Sequence, residues 1–192
     1  LNNIIRHRGL HLVYSQFRTL EGIGILALIL EANGFVKFKL GKNETGQWVI
    51  KNKQSDRGKL RYALYTGTET AEEKELLRNI YNGEWSSLPE TIVQQLTEIS
   101  PDNNRGEIIK VLMITSSGAE GIDLKNTRYV HITEPYWHPV RIEQVIGRAV
   151  RICSHMNLPE DERRVDVFLY LMTFSKKQMN EDLSVELRLK DR

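Results

Sequence analysis

Short apolar runs along this chain alternate with longer stretches in which apolar residues return every three or four positions. Residues 11–17, His-Leu-Val-Tyr-Ser-Gln-Phe, read as a strand. Thr19 then starts a helix that runs to about Glu31 and stops at Asn33-Gly34, residues suited to a left-handed cap. Residues 62–65 form a second strand and meet Thr66-Gly67-Thr68. Thr70 and Glu73 follow at capping-box spacing and open a helix toward Tyr81, which Asn82-Gly83 closes. Residues 110–115, 128–133 and 165–171 are three further strands, and residues 139–153 are a helix between the last two. Strands apolar enough for burial on both faces, alternating with amphipathic helices, predict an α/β fold with a parallel sheet flanked by helices.

Two stretches break the alternation. Residues 39–59 are polar and contain Gly, with Trp48-Val49-Ile50 as a short strand, and read as an inserted hairpin or surface loop. Residues 83–107 hold a helix at 89–98 and then a turn-rich Pro101-Asp-Asn-Asn-Arg-Gly106. The reading is therefore one domain over residues 1–175 with an insertion at about 39–59. A charged tail covers residues 176–192, and within it 182–190 reads as one more helix.

Composition then removes several classes. Of 192 residues, 40% are hydrophobic and 27% charged, which is globular and excludes collagen-like and wholly disordered chains. The longest apolar run, residues 22–30, is too short to span a bilayer, so no membrane partner is expected. No basic segment with a small-residue cleavage site precedes it, so no secretory signal is read. A single cysteine, Cys153, fits a reducing intracellular compartment and is expected in the core, on the apolar face of the 139–153 helix. His7, His11, His131 and His155 show no metal-ligand spacing, so no metal site is expected. A net charge of +2 is too mild to indicate nucleic acid by itself. The chain opens on Leu1 and reads as a piece of a longer protein.

The chemistry concentrates between residues 111 and 151. A buried strand leads into Thr115-Ser-Ser-Gly-Ala-Glu-Gly-Ile-Asp123, a loop whose backbone N–H groups suit phosphate oxygens, with Asp123 able to meet ribose hydroxyls or orient an arginine. A Ser/Gly-rich turn with a capping Asp is the competing reading. Farther on, Gln144, Arg148 and Arg151 stand at i, i+4 and i+7, one face of a helix. Ile142, Val145, Ile146, Ala149, Ile152 and Cys153 form the opposite, sheet-facing side. Two arginine forks aimed one way make a polyanion receptor, against the alternative of a merely solvated face. Gly147 inside the helix costs about 1 kcal/mol relative to Ala, which suits a close approach by a backbone or ligand.

Gln144-x-x-Gly147-Arg148-x-x-Arg151, preceded by the Thr115 to Asp123 loop, resembles motifs VI and V of superfamily 2 helicases and translocases. Residues 11–17 resemble their motif IV, and Tyr65-Thr-Gly-Thr68 with its Glu-rich helix resembles the strand–Gly–helix step of the second motor domain. Thr133-Glu-Pro-Tyr-Trp-His-Pro139 with Arg141-Ile-Glu-Gln144 is similar to Swi/Snf-type ATPases. It is closer to helicases of large DNA viruses, relatives of the poxvirus early transcription factor small subunit. The resemblance runs from about Leu10 to Phe174.

It implies a RecA-like helicase C-terminal domain, half of an ATP-driven motor on nucleic acid, with DNA expected rather than RNA. ATP and Mg2+ are the implied cofactors, the metal held mainly by an N-terminal RecA-like domain of the same protein. Arg151 matches the arginine finger, Arg148 a second γ-phosphate ligand, and Gln144 the residue that orients them. Gly121 and Asp123 match positions near the ribose and the catalytic water. Ser15, Gln16, Thr66, Gly67, Thr115 and Ser116 match contacts to the nucleic-acid backbone. Transcription machinery is a further implied partner, and the implied location is the cytoplasm of an infected cell, the virion or the nucleus.

Departures accompany the match. The sequence contains no Gly-x-x-x-x-Gly-Lys-Ser/Thr and no Asp-Glu-x-His-type box, so it carries half of an active site and is expected to be inactive alone. His138 stands where Swi/Snf-type proteins usually carry Asn. Two rival readings remain: a nucleic-acid-binding or regulatory module without catalysis, and an unrelated doubly wound enzyme for a phosphorylated metabolite. Trp137, Tyr136 and Trp85 read as packing residues first and base-stacking residues second.

Overall fold

Leu10–Tyr14 (β1) is buried at every position, as befits a strand in the middle of a sheet. The computed structural model describes residues 1–19, 21–116, 121–134, 139–171 and 173. Around β1 it assembles Val36–Lys37 (β2), Arg61–Tyr65 (β5), Val111–Ile114 (β6), Thr127–Ile132 (β7) and Asp166–Leu169 (β8). The order across the sheet is β2-β5-β6-β1-β7-β8. Every pairing in it is parallel, with His11 opposite Val111 on one side and Tyr129 on the other.

Alternation along the strands divides the core in two. Leu10, Leu12, Tyr14, Ala63, Leu112, Ile114, Val130 and Ile132 face one side. There they meet Ala71–Asn82 (α3), Glu90–Thr97 (α4) and Pro139–Ala149 (α5) through Leu77, Ile80, Ile92, Leu96, Val145 and Ala149. Val13, Tyr62, Val111 and Met113 face the other side and meet Ile4 of Asn2–Arg6 (α1) and Ile23 and Leu30 of Ile23–Ala32 (α2). The expected two-sided parallel sheet is what forms.

Local signals account for the helix ends. The Thr70 hydroxyl accepts the Glu73 N–H at 3.2 Å and starts α3, and Gly83 ends it in the left-handed region at φ 75°. Two elements escape the sequence reading: α1 is a single short turn, and β2 has only two residues. The 39–59 insertion is an antiparallel hairpin of Leu40–Lys42 (β3) and Trp48–Ile50 (β4). It is docked on α4 rather than loose: Ile50 N–H donates to Gln95 Oε1 at 2.8 Å, and Thr91 Oγ1 donates to the Trp48 carbonyl at 2.8 Å.

Two expected boundaries move. β1 ends at Tyr14: the Ser15 N–H still bonds the Ile114 carbonyl at 3.2 Å, but the Ser15 hydroxyl and the Gln16 N–H turn to a carboxylate from another loop. α2 begins at Ile23 and not Thr19, because Phe17 folds back on its start, with the Ile23 N–H bonded to the Phe17 carbonyl at 2.9 Å. The expected helix at 182–190 lies outside the described residues.

On the α1 side, a chain of hydrogen bonds runs through buried rings. Asn3 Nδ2 donates to the Tyr170 hydroxyl at 3.2 Å, and that hydroxyl lies 2.8 Å from His131 Nδ1. His131 Nε2 is 2.9 Å from His11 Nδ1, and His11 Nε2 is 3.3 Å from the His7 carbonyl. A carbonyl only accepts, which fixes the rest: His11 Nε2 donates, so His131 Nε2 donates to His11 and Tyr170 donates to His131. His7 Nδ1 closes the ring by donating to the Asn3 carbonyl at 2.7 Å. Both buried imidazoles are therefore neutral. Burial, with each other's proximity, holds the His11 pKa far below its ordinary value, and burial lowers His131 to about 4.

Candidate functional site at the carboxyl edge of the sheet

All strands of the main sheet run the same way, so the loops leaving β1, β5, β6 and β7 emerge along one edge. That edge is where an open α/β sheet binds ligands. It collects Ser15 and Gln16 after β1, Thr66 and Gly67 after β5, Thr115 and Ser116 after β6, and Glu134 after β7. The dispersed sequence motifs are thus brought to one face.

Their side chains are not equivalent. Ser15 is 0% exposed, and its hydroxyl lies 2.8 and 3.0 Å from the two oxygens of Glu134. The Gln16 N–H donates to the same carboxylate at 3.0 Å, and the Phe17 N–H donates to the Ser15 hydroxyl at 3.1 Å. Thr66 is buried in the same manner: its N–H donates to Glu69 at 2.7 Å and its hydroxyl reaches both Glu69 oxygens at 3.1 Å. The hydroxyls expected on a nucleic-acid track at Ser15 and Thr66 are thus internal groups that shape their loops. Thr115 is buried as well, whereas Gly67 and Ser116 are exposed and Gln16 is half-buried.

The arginine cluster is corrected in one respect. The helix expected to reach residue 153 ends at Ala149, so Gln144 and Arg148 lie on α5 while Arg151 lies beyond it. Val145 and Ala149 are buried, and Ile142 and Ile146 pack partly against the core. Ile152, at 96% exposed, and Cys153 are out in solvent. Cys153 adopts φ 63°, a left-handed turn that swings both residues away from the sheet. The expectation of a core Cys153 fails for that reason.

The same turn places Arg151 against Asp123. Arg151 Nη1 lies 3.3 Å from Asp123 Oδ1, and Nη2 donates to the Ile122 carbonyl at 3.5 Å. Backbone bonds lace the two segments together: Leu124 N–H to the Arg148 carbonyl at 3.3 Å and Asn126 N–H to the Ser154 carbonyl at 2.8 Å. Asn82, at the end of α3, holds the loop from behind through the Asp123 carbonyl at 3.0 Å and the Lys125 N–H at 2.8 Å. Asp123, Arg148 and Arg151 are therefore one assembly, with Gly121 exposed at the start of the Asp123 segment and Gln144 exposed farther back on α5. The Arg151 side chain is 40% exposed, so its fork can meet an oxyanion from outside. A cleft of about 430 Å³ opens beside it, lined by Val150, Arg151, Cys153, His155 and Arg163.

Gly147 meets nothing within 4 Å of where a Cβ would stand. Among the described residues nothing approaches it. No group of three or more His, Cys, Asp or Glu suited to a metal is found among the described residues. Trp85 packs against the core, and Tyr136, Trp137 and His138 lie outside the described residues.

Sequence reading missed Glu134, Glu69, Asn82 and Ser154, which hold the site without facing it. Thr66-x-x-Glu69 has the spacing of a hydroxyl–carboxylate capping box and could have been found. Glu134 carries no local signal, because Ser15 is 119 positions away.

Residues 36–153 match the model of the helicase conserved C-terminal domain. The termination factor NPH-I homolog of African swine fever virus (isolate Pig/Kenya/KEN-50/1950) is 33% identical over 198 residues, covering 92% of this chain and 26% of the relative. A protein of Acanthamoeba polyphaga mimivirus named as an ATP-dependent RNA helicase, R563, is 31% identical over 182 residues, covering 95% of this chain and 26% of its own length. This chain thus spans about a quarter of those relatives. Among solved structures, the C-terminal part of the Fun30 ATPase domain superposes with a TM-score of 0.51 at 14% identity, covering 93% of this chain and 41% of that one. That likeness agrees with the RecA-like α/β architecture described above. No helix among the described residues is long and apolar enough to cross a membrane.

Proposed function

Because the chain belongs to the helicase conserved C-terminal domain family, we propose that it is the second motor domain of an ATP-dependent nucleic-acid helicase or translocase. The observation that carries this reading is the Arg151–Asp123 contact of 3.3 Å, which joins the two motif segments at the edge where the sheet's loops converge. Arg151 acts as the arginine finger, and Asp123 holds its fork in place. Arg148 supplies a second cation to the γ-phosphate, and Gln144 orients the cluster. ATP chemistry at this edge is phosphoryl transfer to water, for which a fixed guanidinium stabilises the charge that develops on the transferred group. In this reading magnesium is held mainly by the N-terminal motor domain of the same protein.

Nucleic acid runs across the same edge. Gln16, Gly67 and Ser116 face its backbone, while Ser15 and Thr66 set the loops that present them. Such contacts carry no base information. DNA is the proposed track, and transcription in a virus-infected cell the proposed setting, supported by the African swine fever virus relative's name as a termination factor.

The decisive test uses a longer protein that includes the phosphate-loop domain. Arg151→Ala and Arg148→Ala leave melting almost unchanged, because exposed pairs contribute about 0–1 kcal/mol. ATP hydrolysis falls by roughly a thousandfold or more for Arg151→Ala, and lysine rescues poorly because it lacks the fork. Hydrolysis close to wild type in both alanine variants refutes the assignment. For the chain alone, steady-state assays return no ATP turnover. Its nucleic-acid binding is weak, with each phosphate contact adding about 0.7–0.9 to the salt slope.

A further inference from the structure

At the opposite edge of the sheet, Arg61 opens β5 and is only 5% exposed. Burying a guanidinium is costly unless hydrogen bonds or an anion compensate it. Among the described residues, its fork makes one hydrogen bond, from Nη2 to the Asp56 carbonyl at 3.4 Å, and no ion pair within 4 Å. The Asp56 carboxylate is already engaged, by Lys59 Nζ at 3.2 Å and the Lys53 N–H at 3.3 Å. Among the described residues most of the Arg61 donors have no hydrogen-bond acceptor, and the Asp56 carboxylate acts on the fork only through space.

Those donors line a pocket of about 120 Å³ between the inserted hairpin and α4. Lys53 and Arg57 stand at its rim, and Gln95 and Glu98 of the α4 end form the far wall. Arg57 touches Glu98 only loosely, at 3.6 Å with both side chains well exposed. Gln95 uses its carbonyl oxygen to hold Ile50, which leaves its amide nitrogen without a partner among the described residues. A water molecule takes about 30 Å³ of liquid, so the space has room for a small tetrahedral group. Three cations against one lining carboxylate favour a dianion over a monoanion.

We propose that this pocket binds a phosphate dianion, with Arg61 at its floor and Lys53 and Arg57 closing over it. The insertion thereby creates a second anion site, separated from the ATP edge by the length of β5, roughly 13 Å at about 3.3 Å per residue. The source is either free phosphate or the terminal phosphate monoester of a nucleic-acid strand. A backbone phosphodiester, with one charge, fits less well.

The test follows backbone amide resonances of the whole chain during titration with inorganic phosphate, with chloride at matched ionic strength and acetate as controls. Saturable shifts are expected at residues 53–58 and Gln95, with Kd on the order of 1 mM, and not with chloride or acetate. Lys53→Ser combined with Arg57→Ser, both at exposed positions, weakens binding about tenfold or more without altering the fold. Arg61→Lys weakens it further, and if that variant does not fold, the exposed pair decides. Arg151→Ala leaves these shifts intact, which separates this site from the ATP edge. A short single strand carrying a 5′-phosphate, compared with the same strand lacking it, distinguishes the two sources. Absence of saturable shifts at residues 53–58, or shifts that chloride reproduces or that survive the double substitution, overturns the proposal.

Discussion

Glu134 governs the loop after β1 from the other side of the sheet edge. It gathers the Ser15 hydroxyl and the Gln16 N–H, groups that would otherwise be left half-satisfied beneath the surface. Removing one partner of a buried donor costs about 1–3 kcal/mol, so Glu134→Ala lowers the unfolding free energy, read from urea titration, by an amount in that range. Glu134→Gln keeps an acceptor oxygen and loses roughly half as much. The informative comparison is nucleic-acid affinity at low salt for the two variants. Gln restores much of the affinity that Ala removes if Glu134 acts by placing Gln16. Equal loss in both would show that the negative charge itself matters.

Two glycines make opposite demands on their elements. A Cβ at Gly22 would stand 2.2 Å from the Phe17 carbonyl oxygen and 2.3 Å from the Ser15 hydroxyl, so Phe17 can fold back on the start of α2 only without it. Gly22→Ala forces backbone apart and destabilises by about 1–3 kcal/mol, read as a lowered melting temperature. Gly147→Ala, with open space around it in this chain, stabilises α5 by about 1 kcal/mol. In a protein that includes the first motor domain, the same change lowers hydrolysis if that domain closes onto α5. These glycines also show what pattern alone reveals. The strands and α3 were legible because burial and capping are written locally, in runs such as residues 111–114 and in Thr70 with Glu73. Asp123 and Arg151, which the structure brings to 3.3 Å of each other, stand out in the sequence because each falls within a motif. The ends of β1, α2 and α5 were not, because each is decided by a distant partner: Glu134 for Ser15, Phe17 folded back on Ile23, Asp123 for Arg151. Arg61 reads in the sequence as an ordinary strand-edge cation, and only the docked hairpin buries it.

For the molecule as a whole, the buried histidine ring makes stability depend on acidity. In the unfolded chain both imidazoles take up protons near 6.5, whereas in the folded chain burial holds His131 to about 4 and His11 lower still. The unfolded state therefore binds more protons once pH falls below about 6.5. Stability from this ring is full above that value and is lost as pH falls toward about 4. Each extra proton taken up on unfolding removes about 1.4 kcal/mol per pH unit. Urea midpoints measured across that window should fall steadily, and a flat profile would mean that the two rings are not buried as neutral partners. A second proton on His11 would set its Nδ1–H against the Nε2–H of His131, so the contacts of Asn3 and His7 with the ring should loosen first. Amide exchange in α1 that accelerates at mildly acid pH, ahead of the central strands, is the expected sign.

The strand order carries a consequence for how the chain comes to be folded. β1 is made well ahead of the strands that flank it: His11 pairs with Val111 on one side and Tyr129 on the other, neighbours that do not exist until about a hundred residues later. At a ribosomal speed of about 5–20 residues per second, that interval is roughly 5–20 s. Throughout it, a strand of Leu, His, Leu, Val and Tyr waits with both edges open. Closing so long a loop early is entropically unfavourable, which makes sheets of this topology slow to nucleate. The middle of the sheet is thus among the last parts to be secured, and the nascent chain depends on whatever shields β1 until β6 arrives.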